Sequence, residues 1–322
     1  MSLKRVVACV KRNKRFLITT HTNPEGDALG SELAFYRLIR KLGKSATIIN
    51  EDNLSYGYEF LPGVNKIKKL KKNLKYIKFD CFVALDCSDF KRCGEVSKIN
   101  TDNKTILNID HHISNENFGD VNWVEPYFSS TAEMVYNLYK KLHLSLDRET
   151  AMLLYVGMCT DTGSFRYPNT TSLTHKAVSE LLKYNLDISQ IYKSVYENIP
   201  FQDMQLLSKI LPTIRRSASG KIAWFQLKRN IFKMKTSFDL TEHLLSFARA
   251  IKGVETVVLF KENLGKNNEV RVNFRSQGKV DVNKIAQFFG GGGHKTASGA
   301  TVKGQIDEVR RKVLAKIRES LK

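Results

Sequence analysis

The sequence predicts an α/β protein with a doubly wound, mostly parallel sheet, followed by a smaller α/β domain. Apolar, β-branched segments alternate with helical patterns along the first half of the chain, as in sheets built from βαβ units. These segments are apolar almost without interruption, which is typical of strands covered on both faces. A chain of 322 residues is also long enough for two domains that each bury a core.

Four strands are predicted in the first half because each is a short apolar run bounded by polar residues. They span residues 16–20, 45–50, 81–86 and 104–110. Helical periodicity predicts helices, the first of which stops at Gly43, over residues 28–42, 131–142, 148–159 and 173–184. The lysine-rich segment 65–78 also has apolar residues at helical spacing. It is interpreted as a helix with a solvated basic face, with a dedicated nucleic-acid patch as the alternative.

The alternation of strands and helices lapses at residues 186–211. Two helices separated by a break near Pro200 are predicted there, and the segment is interpreted as a helical linker. A first domain would therefore span residues 1–185 and a second domain residues 212–322. In the second domain we predict strands at residues 221–227, 254–260, 269–274 and 297–302, and helices at residues 240–251, 282–289 and 306–321.

Composition restricts the partners and the compartment. The formal net charge of +20 favours polyanions such as nucleic acid, although a lysine-rich composition alone does not require such a partner. The five cysteines are an odd number without a C-x-x-C pair, which argues against a disulfide framework and favours reduced thiols in a cytoplasmic protein. No apolar run approaches the roughly 18 residues of a membrane helix, and the run after Arg5 is too short for a signal peptide.

Residues of types that can bind metal ions follow several of the predicted apolar runs. They are His21, Glu25, Asp27, Asp86, Asp110, His111, His112 and Asp161. Because the carboxyl ends of parallel strands share one edge of a sheet, we expect these side chains to converge there. Imidazole and carboxylate ligands together suit a pair of divalent ions such as Mn²⁺. Phosphoester hydrolysis by two metal ions is therefore the leading hypothesis.

Individual residues also have alternative interpretations. Asp27 could be the N-cap of the following helix, and Asp110 could orient His111 instead of binding a metal. The four glycines at residues 290–293 could bring backbone N–H groups to an anion, or could form a tight loop. His294 could contact a phosphate or stack on a base. Arg275 suits a bidentate phosphate contact, with a solvated strand end as the alternative.

With these residues in place, the chain resembles the DHH phosphoesterase superfamily. The triplet at residues 110–112 is the Asp-His-His of the family name, and the segment 21–27, Asp86 and Asp161 resemble its other motifs in the same order. The segment 290–299 resembles the glycine-rich signature of the DHH-associated C-terminal domain. The resemblance covers nearly the whole chain, and the two-domain form is most similar to the bacterial nano-RNase and pAp phosphatase group.

The resemblance implies a site for two Mn²⁺ ions, with Mg²⁺ or Co²⁺ as substitutes. The first ion would be held by His21, Glu25 and Asp86, and the second by Asp27, Asp86, His111 and Asp161. Asp86 would bridge the two, His112 would face the scissile phosphate and Asp110 would have an orienting role. Glu25 stands where the family has Asp, and its additional methylene moves the carboxylate outward.

The resemblance also implies where the substrate binds. The terminal nucleotide would be held by Arg275, Gly292, Gly293, His294 and Ser298, in an active site in the interdomain cleft. The implied substrates are short oligoribonucleotides, cleaved to mononucleotides, and 3′-phosphoadenosine 5′-phosphate (pAp), cleaved to AMP and phosphate. One alternative is a phosphodiesterase acting on c-di-AMP or linear pApA, and another is a non-catalytic nucleotide- or RNA-binding protein. A homodimer remains an open expectation for the assembly.

Overall fold

The structure, a computed structural model, describes residues 2–71, 77–229, 240–262 and 268–321. The chain divides into two compact units, Met1–Asn198 and Ile199–Lys322. This division falls inside the predicted linker, between helices α6 (Ile188–Tyr196) and α7 (Phe201–Ile210). The linker role and the exact domain limits stay predictions. Within the described ranges, no helix has the length and apolarity needed to cross a membrane, and all five cysteines are buried free thiols.

Unit 1 contains a six-stranded sheet in which every neighbouring pair of strands is parallel. The strands are β1 (Arg15–Thr19), β2 (Ser45–Asn50), β3 (Ile67–Lys69), β4 (Cys81–Leu85), β5 (Thr105–Asp110) and β6 (Val121–Val124). Their spatial order is β3-β2-β1-β4-β5-β6, so the direction of winding reverses between β1 and β4. In doubly wound proteins, ligands bind outside the carboxyl ends of the strands at such a reversal.

Five helices, together with Ile191 of α6, pack into one core on one face of this sheet. They are α1 (Ser2–Arg12), α2 (Gly26–Lys41), α3 (Thr131–Lys141), α4 (Arg148–Asp161) and α5 (Ser172–Leu182). The opposite face is covered differently, by the 3₁₀ segment Phe90–Ile99. Its Cys93 and Val96 pack against Leu17 and Phe82 of the sheet. Both faces are thus buried, which explains the nearly continuous apolar strands in the sequence.

The lysine-rich segment is the clearest error of the sequence prediction. Residues 67–69, inside the predicted helix 65–78, form β3 and pair with residues 48–50 of β2. The open backbone edge of β2 therefore outweighs a helical spacing of apolar residues, because pairing with a sheet edge satisfies backbone groups that periodicity ignores. Residues 72–76 of that predicted helix lie outside the described residues. Helix α1 and strand β6 are also absent from the sequence prediction.

Unit 2 has a second six-stranded sheet, in the order β11-β12-β10-β9-β8-β7. Its strands are β7 (Arg215–Arg216), β8 (Ile222–Leu227), β9 (Thr256–Glu262), β10 (Glu269–Ser276), β11 (Gly292–Gly293) and β12 (Ala297–Lys303). Only the β8–β9 pair is parallel among these neighbours. One face packs against α7 and α8 (Thr241–Arg249), and the other against α9 (Val282–Phe288) and α10 (Ile306–Ser320). The α/β prediction is confirmed for both units.

Candidate active site

Five of the six predicted metal ligands come together at the carboxyl edge of the unit 1 sheet, namely His21, Asp27, Asp86, His111 and Asp161. His21 lies two residues after β1, Asp86 directly follows β4 and Asp110 is the last residue of β5. Two helices supply the remaining acids, with Asp27 in the first turn of α2 and Asp161 as the last residue of α4. These chain segments meet beside the β1–β4 reversal, where the fold favours ligand binding.

His111 lies within ion-pair distance of three carboxylates. Its Nε2 is 3.8 Å from Asp27 Oδ2, 3.6 Å from Asp86 Oδ1 and 3.5 Å from Asp161 Oδ2. His111, Asp27 and Asp86 are all buried, with at most 5% of each residue exposed. A buried imidazole surrounded by carboxylate oxygens is a donor set that suits divalent ions such as Mn²⁺.

The carboxylate of Asp86 lies close to all three histidines predicted for the site. Its Oδ2 is 3.5 Å from His21 Nε2, and its Oδ1 is 3.6 Å from both His111 Nε2 and His112 Nδ1. The backbone of Asp86 has a φ of +59°, a left-handed conformation that is uncommon outside glycine. Asp86 therefore lies between His21 on one side and His111 and His112 on the other, and its bridging of two metal ions stays a prediction.

Asp110 is the hydrogen-bond partner of His112. Asp110 Oδ1 lies 2.7 Å from His112 Nδ1, while Asp110 Oδ2 accepts a hydrogen bond of 2.6 Å from Asn115 Nδ2. Asp110 is fully buried, so this pairing holds the imidazole ring in one orientation. The Nδ1 of His111, in contrast, lies 3.3 Å from the carbonyl oxygen of Phe128.

The amino-terminal end of α3 holds two of the acids. The backbone N–H groups of Thr131 and Ala132 donate to Asp27, to Oδ2 at 2.7 Å and to Oδ1 at 2.8 Å. The Thr131 hydroxyl donates to Asp86 Oδ1 at 3.1 Å. Since a helix begins with unsatisfied N–H groups and a positive dipole end, this position favours carboxylates. Thr131 thus links Asp27 to Asp86.

The N-cap of α2 is Glu25, so the interpretation of Asp27 as that N-cap is wrong. Glu25 is exposed and its side chain makes no capping hydrogen bond. Asp27, two residues later, is buried in the carboxylate cluster. A metal-binding role for Glu25 stays a prediction.

Sequence reasoning missed Thr131, Asn115 and Gly157. A Cβ on Gly157, inside α4, would lie 2.8 Å from Asp27 Oδ1 and 2.4 Å from Ala132 Cβ, so only glycine lets the helix pass this close. A glycine within a helical pattern, which is unfavourable by about 1 kcal/mol relative to alanine, is a usable signal for such packing. For Thr131 the signal is the N-cap serine that precedes it, followed three residues later by glutamate.

The acids and the imidazole shift one another's pKa values. Burial raises the pKa of Asp27 well above its usual range, and the Asp86 charge adds to this. Burial opposes ionisation of Asp86, but the hydrogen bond from His21 and the neighbouring imidazoles lower its pKa. Burial alone would lower the pKa of His111, yet the surrounding carboxylates raise it to about 9, with Asp161 contributing most. So many buried carboxylates require positive charge nearby, and the residues fit divalent metal ions that would supply it.

The predicted substrate residues of unit 2 lie on adjacent strands or in the turn between two of them. Strand β11 pairs with β12 through Gly292–Gly299 and Gly293–Ser298, and Arg275 of β10 is in register with Ala297 of β12. The Ser298 hydroxyl donates to the His294 carbonyl at 2.7 Å. The set is therefore local within unit 2.

Two details of this set differ from the sequence interpretation. A Cβ on Gly291 would lie 2.1 Å from the carbonyl oxygen of Gly299, so this glycine permits a close approach of backbone to backbone. Gly290 has a φ of +73° in the turn after α9, and Gly292 and Gly293 form β11. Anion binding by this segment stays a prediction. Arg275 forms an ion pair with Glu242 of α8, so its guanidinium has a carboxylate partner within unit 2.

Comparisons with known proteins agree with this architecture. Residues 15–158 match the DHH family, N-terminal domain, and residues 232–322 match the DHHA1 domain. A Thermus thermophilus protein named bifunctional oligoribonuclease and PAP phosphatase NrnA is 32% identical over 310 residues, covering 94% of this chain and 89% of that protein. The Bacillus subtilis protein of the same name is 28% identical over 289 residues, covering 89% of this chain and 88% of that protein.

A solved structure is similar over almost the whole length. The crystal structure of an exopolyphosphatase-related protein from Bacteroides fragilis aligns with a TM-score of 0.86 and 26% identity, covering 99% of this chain and 95% of that chain. The chain therefore belongs to the DHH family, carries a DHHA1 domain after its DHH domain, and is a hydrolase that acts on phosphoester bonds.

Proposed function

We propose that this protein hydrolyses short oligoribonucleotides to mononucleotides and pAp to AMP and phosphate, with two Mn²⁺ ions at the carboxylate cluster. The relatives named as bifunctional oligoribonuclease and PAP phosphatase, which match most of both chains, support this choice of substrates. Mg²⁺ or Co²⁺ could substitute for Mn²⁺, since the same carboxylate and imidazole donors bind them.

The observation that carries the proposal is the position of His111. Its Nε2 lies 3.5 to 3.8 Å from carboxylate oxygens of three different chain segments. One ion would be held by Asp27, Asp86, His111 and Asp161, and the other by His21, Glu25 and Asp86. When bound, the ions would lower the pKa of the attacking water and offset charge on the phosphoryl oxygens.

The remaining site residues position the substrate. His112, whose Nδ1 is held by Asp110, would face the scissile phosphate and donate from Nε2 to one of its oxygens. The unit 2 residues Arg275, Gly292, Gly293, His294 and Ser298 would bind the terminal nucleotide. Arg275 would exchange its Glu242 partner for a phosphate, because guanidinium binds both anions bidentately.

A substrate panel with Mn²⁺ tests the proposal. The panel contains pAp, ribonucleotides of about two to five units, a long RNA of about 24 units, pApA and c-di-AMP. We expect turnover of pAp and of the short RNAs, and a much lower rate on the long RNA, since each further nucleotide needs its own contacts. Equal rates on the dinucleotide and the long RNA would contradict the preference for short substrates, and turnover of c-di-AMP alone would replace the proposed function.

Two histidine variants complete the test. His111→Ala removes the imidazole within the carboxylate cluster and should abolish hydrolysis while leaving nucleotide binding measurable. His175→Ala, which changes an exposed histidine on α5, is the matched control and should keep full activity. Unchanged turnover in His111→Ala would show that the cluster is not the catalytic centre. Binding without hydrolysis by the wild-type protein at every Mn²⁺ concentration would identify a nucleotide-binding protein instead.

A further inference from the structure

Unit 1 has an open groove of about 770 Å³ on its surface, lined chiefly by α3 and α5. Its lining includes Tyr127, Phe128, Tyr136, Lys140, Lys176 and Lys183. Among these aromatic residues, Phe128 and Tyr136 are buried and Tyr127 is exposed. An exposed aromatic ring beside lysines suits single-stranded nucleic acid, through base stacking and attraction to the charged backbone. We call this surface the α3–α5 groove.

One end of the α3–α5 groove lies beside the metal-binding cluster. Tyr127 and Phe128 are in the loop after β6, at the sheet edge where the strands leave their carboxyl ends. The carbonyl oxygen of Phe128 is 3.3 Å from His111 Nδ1. Helix α3 starts at this edge with Thr131, and Lys140 lies nine residues further on. At about 1.5 Å per helical residue, this path is roughly 13 Å long, the length of about four stacked nucleotides at roughly 3.4 Å each.

The groove has a net positive charge because three lysines of its lining outnumber its two glutamates. Glu133 is buried, and its Oε2 accepts from the Ser129 backbone N–H at 3.0 Å and from the Thr174 hydroxyl at 3.1 Å. Glu180 forms an ion pair of 2.8 Å with Lys183. Lys140 and Lys176 are exposed and form no ion pair among the described residues, although Lys140 Nζ lies 5.5 Å from the ring centroid of Tyr136. Their charges therefore suit a polyanion.

Tyr127 provides a surface for stacking. Its residue is 60% exposed, although large aromatic side chains are usually buried to a greater extent. One face of its ring packs on Phe128, with ring centroids 4.4 Å apart and planes tilted by 31°. The phenol is thus supported by the fold and presents an aromatic surface to solvent at the active-site end of the groove, where an unpaired base can stack.

We propose that the α3–α5 groove binds the part of an oligoribonucleotide that extends beyond the dinucleotide at the metal centre. This inference rests on the proposed function and adds a binding surface to it. A second copy of the chain is a poorer fit as occupant, because lysines are depleted in protein–protein interfaces. Bases would stack on Tyr127, and phosphates would contact Lys176 and then Lys140.

A double variant tests the proposal. Lys140→Gln with Lys176→Gln removes two phosphate contacts, and we expect the KM for a pentaribonucleotide to rise about tenfold, with a smaller dependence of KM on salt. The kcat and KM for the dinucleotide should not change, since that substrate does not reach the groove. Tyr127→Ala should likewise raise KM for the pentamer alone. The control is Lys98→Gln with Lys104→Gln. Lys98 lies in the 3₁₀ segment on the face of the sheet opposite to α3 and α5, and Lys104 lies between that segment and β5.

Several results would overturn the inference. An unchanged KM for the pentamer, or an equal rise in KM for both substrates, would show that extended RNA does not use the groove. Loss of a dimer in Tyr127→Ala, with an unchanged ratio of the two KM values, would assign the groove to a second copy of the chain. If the wild-type protein cleaves neither RNA, the proposed function has failed. Fluorescence anisotropy with a labelled pentaribonucleotide then tests binding to the α3–α5 groove separately. Binding of the pentamer that is unchanged in Lys140→Gln with Lys176→Gln would show that the groove is not its binding surface.

Discussion

Thr131 is predicted to set the metal affinity of the carboxylate cluster without binding a metal itself. Its hydroxyl donates to Asp86, and its backbone N–H donates to Asp27. Thr131→Val removes only the hydroxyl, because valine keeps the branched shape and the backbone contact. Thr131 is completely buried, so the exchange leaves the first turn of α3 filled.

The structure gives the size of the effect. The lost hydrogen bond is 3.1 Å long and ends on the carboxylate of Asp86, a residue that is only 5% exposed to solvent. Hydrogen bonds to charged groups are worth about 1.5 to 3 kcal/mol, and partners of metal ligands typically account for about 10- to 100-fold in metal affinity. We therefore expect the apparent Mn²⁺ dissociation constant of Thr131→Val to rise by about 10- to 100-fold.

Two assays measure this constant independently. The first is the Mn²⁺ concentration that gives half-maximal hydrolysis, and the second is the rise in melting temperature of the protein with added Mn²⁺. The second assay needs no substrate, so it separates metal binding from chemistry. At saturating Mn²⁺, the kcat of Thr131→Val should approach that of the wild-type protein.

Two controls decide whether the reasoning holds. Thr131→Ser keeps the hydroxyl and should restore the wild-type metal constant. Thr256→Val removes a buried hydroxyl in unit 2 that has no hydrogen-bond partner among the described residues, and should leave the constant unchanged. Equal metal constants for Thr131→Val and the wild-type protein would refute the role of the hydroxyl.

Three further predictions concern Glu32, Gly157 and Glu25. One carboxylate oxygen of buried Glu32 accepts a hydrogen bond from Asn50 at 2.9 Å, and the other has no partner in the described structure. Burial raises the pKa of the Glu32 carboxyl from 4.5 to about 8. Since the folded pKa is raised, its stabilising contribution is complete below pH 4.5 and is lost as pH approaches about 8. Glu32→Gln should thus gain about 3 kcal/mol relative to wild type between about pH 5.5 and 8 in denaturant unfolding with a chelator, and an equal pH slope for both proteins would refute this. Gly157→Ala should weaken Mn²⁺-induced thermal stabilisation although alanine favours helices, because its Cβ would meet Asp27; undiminished stabilisation would contradict the packing argument. Glu25→Asp should keep or improve turnover at low Mn²⁺, and a large loss of kcat would show that the longer side chain is required.

The parts of unit 1 that the sequence predicted well are those whose signal is local. The predicted strands of unit 1 are apolar runs, and His21, Asp86 and Asp110 lie at or just after the carboxyl ends of three of them, β1, β4 and β5. Sheet topology alone therefore brings these side chains to one edge. Strand β3 was not predictable in this way, because its three residues pair with β2 and the pairing depends on a partner that sequence spacing does not show.

Thr131 and Gly157, which contact the acidic residues of the cluster or the helix beside them, could not be predicted for a similar reason. Thr131 and Gly157 act across gaps in the chain, since Thr131 lies 104 residues from Asp27 and a Cβ on Gly157 would meet both Asp27 and Ala132. A serine cap and a helical glycine mark such positions only as local features of their own helices. The contacts of Thr131 and Gly157 are defined only in the folded structure, where α2, α3 and α4 pack together.

The wide separation of the metal ligands has a consequence for folding. His21, Asp86, His111 and Asp161 come from chain segments spread over 140 residues, counted as 161 − 21. No fragment of unit 1 that lacks β1 or α4 can assemble the cluster, and contacts of such long range carry a large loop-closure entropy cost. Metal ions would therefore bind the completely folded unit 1 more tightly than any partly folded form. The resulting stabilisation grows as RT ln(1 + [metal]/Kd), and it would apply to unit 1 as a whole. The proposed metal centre would then also cross-link chain segments that extend from the end of β1 to the end of α4.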